Sequence, residues 1–269
     1  MVEKIAIALD NIKAKRPLIH QITNSVSIND CANITLAMGA SPVMAQDPHE
    51  VEDMVTNARA LVINIGTLQS GNFSGMLAAA SRAKELAIPV VFDPVGAGAT
   101  RYRTEAARRF VREIKPDIIR CNMSELKTLC DIAVQVKGVD SVDDGNGGEE
   151  AAKFLAQITG GVIAVTGKTD IITDGKQVVL VKNGHELLTR LTGTGCMTSA
   201  ITACFAAENK AFISAVGGVV MMGIAGEMAA EAIRDREGPG MFRIRLIDAV
   251  YWINRAIIDL YANLSVKET

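Results

Sequence analysis

The sequence predicts an α/β fold with a mostly parallel central sheet flanked by helices on both faces, and three observations lead there. Short runs rich in β-branched residues alternate with longer helical patterns through the first half of the chain. Their spacing leaves room for a crossover helix between successive strands, the right-handed βαβ unit of a parallel sheet. The residues just past each expected strand are polar or glycine, the composition expected where ligands gather beyond the carboxyl ends of strands.

Each element has its own signal. The opening MVEKIAIALDNIKAKRP scatters charges among apolar residues and reads as an amphipathic helix, without the apolar segment of a signal peptide. After the short run ending at His20 comes QITNSVSINDCAN, where Thr23, Asn24, Asn29, Asp30 and Asn33 crowd polar groups around a helix start near residue 27, with the helix reaching about 38. A second short apolar run leads to Met44. Residues 61–65 form a buried strand ending at Gly66, residues 72–87 a helix closed before Pro89, and residues 89–93 (PVVFD) the next strand, followed by the loop PVGAGATR. A helix over 104–114 and a strand over 117–120 follow. Asn122 then opens the helix NMSELKTLC, with Glu125 three residues on, the spacing of a capping box.

Residues 138–150, GVDSVDDGNGGEE, read as a surface loop leading into a helix over 150–158. VIAVTG (162–167), DIITDG (170–175) and QVVLVKNG (177–184) are short strands joined by glycine turns, a hairpin-like edge to the sheet. After Gly195 everything reads as helix, including a long C-terminal one around 244–263. There is no repeat and no low-complexity tract, and 269 residues fit one domain over 1–269.

Composition excludes several classes of function. The net charge of −2 offers no basic surface for nucleic acid. Five cysteines, an odd number without CxxC spacing, argue against a disulfide framework or a structural zinc site and fit reduced thiols in a cytoplasm. The uncharged stretch 211–226 falls short of the roughly 20 apolar residues of a membrane span and reads as a buried core helix.

The stretch LTGTGCMTSAITACFAAE (191–208) carries the strongest chemical signal. Gly193, Thr194 and Gly195 ahead of a helix offer free backbone N–H groups at the positive end of a helix dipole, a combination suited to phosphate or a developing anion. It is neither a P-loop nor the GxGxxG of a nicotinamide enzyme. Cys196 falls at that helix start, where the field favours negative charge. Asp93 ends a strand, Arg120 ends another and could reach a phosphate, and Asp93 with Glu125 could hold Mg²⁺ directly or through waters. Thr166 and Gly167 could line a nucleotide pocket. Taken singly, each of these has a plain structural reading: a turn, a helix cap, a surface arginine or, for Met44, a core side chain.

Their order is more specific than any one of them. HQITNSVSINDCANITLAMGASPVMA (20–45), NIGTL (64–68), VFDPVGAGATRYR (91–103), RCNMSEL (120–126), VTGKTDIITDG (165–175) and LTGTGCMTSA (191–200) together closely resemble the hydroxyethylthiazole kinase family, over essentially the whole chain. The resemblance implies a ribokinase-like fold. It also implies ATP- and Mg²⁺-dependent phosphorylation of the alcohol of 4-methyl-5-(2-hydroxyethyl)thiazole, in thiamine biosynthesis and salvage. It places Met44, Gly193 and Asn24 against the thiazole, Arg120, Thr166 and Asn122 against ATP, and Asp93 and Glu125 at the metal. It further implies a homotrimer with sites between subunits. The chain departs from the family at Cys121, where glycine is usual, and a side chain there would be expected to crowd the phosphates.

Two roles stay open for Cys196. In most ribokinase-like kinases an aspartate ends the glycine motif and acts as base. A thiolate here could accept the alcohol's proton, or the thiol could only shape the anion site. Other readings are a same-fold kinase of hydroxymethylpyrimidine or a sugar, a nucleotide-dependent dehydratase of hydrated nicotinamide nucleotides, and a non-catalytic thiazole- or nucleotide-binding regulator.

Overall fold

A computed structural model describes residues 1–69, 71–137 and 147–268. The first half runs α1 (Val2–Lys15), β1 (Leu18–Ile22), α2 (Ile28–Ala37), β2 (Ser41–Val43), α3 (Val51–Thr56), β3 (Ala60–Asn64), α4 (Phe73–Glu85), β4 (Val90–Asp93), α5 (Arg101–Ile114) and β5 (Ile118–Asn122). It continues through α6 (Met123–Lys137), α7 (Gly148–Thr159), β6 (Val162–Thr166), β7 (Asp170–Thr173), β8 (Gln177–Val181) and a 3₁₀ turn (Glu186–Arg190). The chain closes with α8 (Thr194–Ala206), α9 (Ala211–Glu231), α10 (Pro239–Trp252), α11 (Arg255–Tyr261) and β9 (Leu264–Glu268).

Nine strands form one sheet in the order β2-β1-β3-β4-β5-β6-β7-β8-β9. The six from β2 to β6 are parallel, and β7, β8 and β9 add an antiparallel edge. Alternating residues along the parallel strands enter two separate cores, one on each face. Ala60, Val62, Val91, Ile118 and Ala164 face a core shared with α1, α2, α8, α9 and α10. Leu61, Ile63, Phe92, Ile119 and Ile163 face the other, shared with α4, α5, α6 and α7. Strands buried on both sides must be apolar throughout, which explains continuous runs such as residues 61–63.

Two expectations change. The long C-terminal helix does not exist as one element. It breaks at Ile253 and Asn254, where the Asn254 side chain accepts from Ile257 N and caps α11. Residues 264–268 then pair with β8 as β9, so the region after Gly195 is not all helix. Most of the expected surface loop at 138–150 lies outside the described residues, and α7 begins at Gly148.

Among the described residues one helix, α9, is long and apolar enough to cross a membrane, and 78% of its most apolar window is buried inside the protein. It packs against α8 through glycines. A Cβ on Gly218 would lie 2.8 Å from the Thr202 Cα, a backbone atom that cannot swing away. Gly218→Ala is therefore expected to lower stability by about 1–3 kcal/mol by overpacking, read as a lower urea midpoint with an unchanged m-value.

Candidate active site

Parallel register lines up the carboxyl ends of the central strands. Asn64 pairs with Asp93, and Asn122 with Thr166, so each strand delivers its last residue to the same edge. The first turn of α8 lies against that edge. Asp93 is fully buried, and its Oδ2 accepts from Arg120 Nη2 at 2.6 Å, Ser199 Oγ at 2.8 Å and Asn64 Nδ2 at 2.9 Å. Its Oδ1 is buried without a partner. Arg120, also buried, donates Nε to Ser199 Oγ at 3.1 Å and Nη1 to Thr166 Oγ1 at 3.4 Å. Burial works against its charge, yet Asp93 beside it, with Glu125 adding, holds the guanidinium's pKa above its ordinary value.

The glycine turn sits directly on this pair. Gly195 has no room for a side chain, because a Cβ would lie 2.8 Å from both terminal guanidinium nitrogens of Arg120. Gly193 holds φ at 84° and caps α8, and a Cβ there would approach Ser27 Cβ to 2.9 Å. The loop after β1 is thereby pressed against the turn. Asn24 shapes that loop: its Oδ1 accepts from Val26 N, Ser27 N and Ser27 Oγ, each at 3.1 Å.

Cys196 lies between these parts. Its Sγ accepts from Asn24 Nδ2 at 3.1 Å and Asn64 Nδ2 at 3.3 Å. Burial pushes the thiol's pKa up, and the Asp93 charge pushes it further. Hydrogen bonds from Ser27 and Asn24 and the nearby Arg120 only partly oppose this. The sulfur is therefore a thiol at neutral pH, despite its place at a helix start.

Glu125 and Asn122 form the expected capping box. Asn122 N donates to Glu125 Oε2 and Glu125 N to Asn122 Oδ1, each at 2.9 Å. Glu125 Oε1 also takes Gly96 N at 3.0 Å, so both carboxylate oxygens face backbone N–H groups. Burial raises its pKa, with those two N–H groups pulling the other way. Among the described residues, no group of three or more His, Cys, Asp or Glu converges as a metal site. The orphaned Asp93 Oδ1 is an oxygen that a hard cation or its water shell would satisfy, and Mg²⁺ typically takes only one or two protein carboxylates beside substrate phosphates.

Cys121 does not crowd the site. It alternates with Arg120 along β5, so its side chain enters the opposite core with Phe92 and Leu126. Met44 is not joined to the polar cluster. It is a half-buried side chain just past β2, packed on the core that also contains Met197. Its neighbour Ala45 is anchored through its carbonyl, which accepts from the buried His20 Nε2 at 2.8 Å.

Beside the glycine turn lies a cavity of about 550 Å³. Thr166, Gly167, Thr194 and Gly195 line one part of it, and Leu188, Val219 and Met222 another. Sequence reasoning reached the first part and missed the second, which comes from the 3₁₀ turn and the middle of α9. It also left out Ser199, whose signal is its place one helical turn after Gly195 on α8.

The architecture is the ribokinase-like α/β fold. A ribokinase-like superfamily protein from Enterococcus faecalis has the same fold, with a TM-score of 0.62 at 12% identity over 88% of each chain. So does Staphylococcus aureus pyridoxal kinase in complex with AMP-PCP and pyridoxal, at 0.62 and 14%, over 94% of this chain and 99% of that one. The chain belongs to the hydroxyethylthiazole kinase family, whose model matches residues 9–256. It is 47% identical to hydroxyethylthiazole kinase from Alkaliphilus oremlandii over 92% of each chain. It is 48% identical to that from Methanocella arvoryzae over 90% of this chain and 91% of the other. The solved hydroxyethylthiazole kinase protein from Pyrococcus horikoshii superposes with a TM-score of 0.90 at 39% identity, over 99% of this chain and 100% of that one.

Asp170, on the cavity wall, is buried, and desolvation raises its pKa from 3.8 to about 6 despite a 2.8 Å bond from Gly167 N. Well below pH 3.8 it is neutral whether the chain is folded or not, and at pH 4 little of the burial cost is yet felt. Above pH 6 it is charged in both states and its burial costs about 2–3 kcal/mol, one pKa unit being about 1.4 kcal/mol. Asp170→Asn keeps an acceptor for Gly167, so it is expected to raise the melting temperature at pH 7–8 and leave it nearly unchanged at pH 4. Thermal unfolding at the two pH values checks this.

Proposed function

We propose that the protein, as one kinase domain over residues 1–269, transfers the γ-phosphoryl group of ATP to the primary alcohol of 4-methyl-5-(2-hydroxyethyl)thiazole, in thiamine synthesis and salvage. One observation carries the reading. The glycine turn of α8 lies over the buried Arg120–Asp93 pair, with a nucleotide-sized cavity on one side and the Asn24–Ser27 loop on the other. Arg120 and Thr166 meet the donor phosphates, and Asn122 contributes by holding Glu125. Met44, Gly193 and Asn24 form the thiazole side. Asp93 and Glu125 would hold Mg²⁺, which neutralises phosphate charge when bound.

The alcohol oxygen forms a bond to the γ-phosphorus as the bond to the β–γ bridging oxygen breaks. The N–H groups of residues 193–196 face the charge that develops on the transferring group. The alcohol's proton leaves late, to phosphate or water, because a loose transition state does not require a strong base. Cys196 acts as a thiol that shapes the site. The raised thiol pKa favours this role over proton acceptance.

Assembly as a homotrimer is part of the proposal. It is supported by apolar side chains left exposed beside the site loop and on neighbouring helices: Val26, Leu36 on α2, and Ile244 and Tyr251 on α10. The reaction belongs in the cytoplasm, consistent with five cysteines that form no disulfide.

Incubation with Mg-ATP and the thiazole alcohol is expected to yield ADP and thiazole phosphate. Turnover of a pyrimidine alcohol instead, or binding without turnover, would sink the assignment. Cys196→Ser is expected to keep kcat within about tenfold, and Cys196→Asp to be at least as active as the parent. The parent's kcat is expected to stay flat between pH 7.5 and 9; a tenfold rise per pH unit would restore Cys196 as the base. Gly193→Ala forces a strained φ and a clash with Ser27, so it is expected to lower kcat far more than it raises the donor KM. Equal losses would reduce the turn to a nucleotide holder.

A further inference from the structure

The donor cavity has few polar groups free to read a base. Asn183 is the buried amide on its wall, and its hydrogen bonds point elsewhere. Its Nδ2 donates to Tyr261 O at 2.8 Å and Glu227 Oε2 at 3.0 Å, and its Oδ1 accepts from Asn263 N at 2.7 Å. Glu227 in turn takes Gly184 N at 2.8 Å. Thr198 Oγ1 donates to Thr194 O at 2.9 Å, and Thr194 Oγ1 to Leu188 O at 3.2 Å. Asp170 holds the Gly167 turn. The other polar lining side chains, such as Lys168, Lys182 and His185, are exposed at the rim, where water competes for them. What remains inward is apolar: Leu188, Val219 and Met222. Met222 adds a flexible, polarisable flank that adapts to rings of different shape.

Resting on the assignment of this cavity to the phosphoryl donor, we propose that it takes nucleoside triphosphates as a class. The base is gripped by shape and apolar contact, and the phosphates by the Arg120–glycine turn region, so the enzyme spends GTP, CTP and UTP as well as ATP. The expected discrimination follows from the type of contact. A pocket that hydrogen-bonds its ligand rejects analogues by about 10⁴-fold or more, whereas an apolar slot separates them by only about 10–200-fold.

The test is kcat/KM for ATP, GTP, CTP and UTP at saturating thiazole alcohol and Mg²⁺. All four are expected within about 100-fold of one another. A fall of more than about 100-fold for any of them overturns the proposal. Leu188→Ala, a half-buried position on a short turn, is expected to raise KM for ATP and GTP by the same factor. A rise for ATP alone, or for neither, overturns it. Asp170→Asn is expected to leave the ATP/GTP ratio unchanged; a shifted ratio would make Asp170 a base reader and end the argument. Calorimetric Kd values for ADP, GDP, CDP and UDP test the same point without turnover. A chain that binds all four diphosphates alike but phosphorylates no thiazole would lose its assigned substrate and keep its tolerant donor site.

Discussion

A carboxylate and a guanidinium can share a protein interior only if the rest of their hydrogen-bonding capacity is met. Asp93 and Arg120 are such a pair, and meeting that demand organises the carboxyl edge of the sheet. Asn64 comes from β3, Thr166 from β6 and Ser199 from α8, and each supplies a partner to one ion or the other. Four strands and a helix are thereby drawn to one point. Removing either ion would strand the other, at a cost of about 3–5 kcal/mol. One oxygen, Asp93 Oδ1, is left buried without a partner.

The same pair dictates the glycine turn. α8 can bring its first N–H groups onto Arg120 only because Gly195 has no side chain, and it can enter from the loop only because Gly193 takes a left-handed φ. A helix start packed this closely over a fixed cation concentrates positive potential on one small volume. The glycine turn and the buried arginine are thus one device, and neither is built without the other.

Much of this was legible in the sequence, for identifiable reasons. The parallel strands announced themselves because burial on both faces leaves them uniformly apolar. The site residues announced themselves because they stop those strands: Asp93, Arg120 and Asn122 each interrupt an apolar run. The capping box at Asn122 and Glu125 is local, so spacing alone revealed it. What stayed hidden depends on distant partners. β9 is five residues long and is a strand only because β8 offers it an edge. Leu188 and Met222 look like ordinary apolar residues, and only the fold sets them beside a cavity. The sign of the Cys196 shift needed burial and the distance to Asp93, neither of which a helix-start motif contains.

That sign recasts the cysteine. Asn24 and Asn64 each give an amide hydrogen to Sγ, and the same two side chains hold the 24–27 loop and the Gly66 turn through their oxygens. Sulfur is therefore the acceptor on which the 24–27 loop and the Gly66 turn converge. Deleting it would leave two buried amide hydrogens unsatisfied, each costing about 1–3 kcal/mol. A carboxylate at this position could accept the same two hydrogens, but it would add a second negative charge near Asp93, whose partner Arg120 is already engaged, a cost to the stability of the fold rather than to turnover. A neutral, polarisable atom meets both amides without competing for the arginine. On this argument the fold requires an acceptor at residue 196 whether or not the reaction requires a base there.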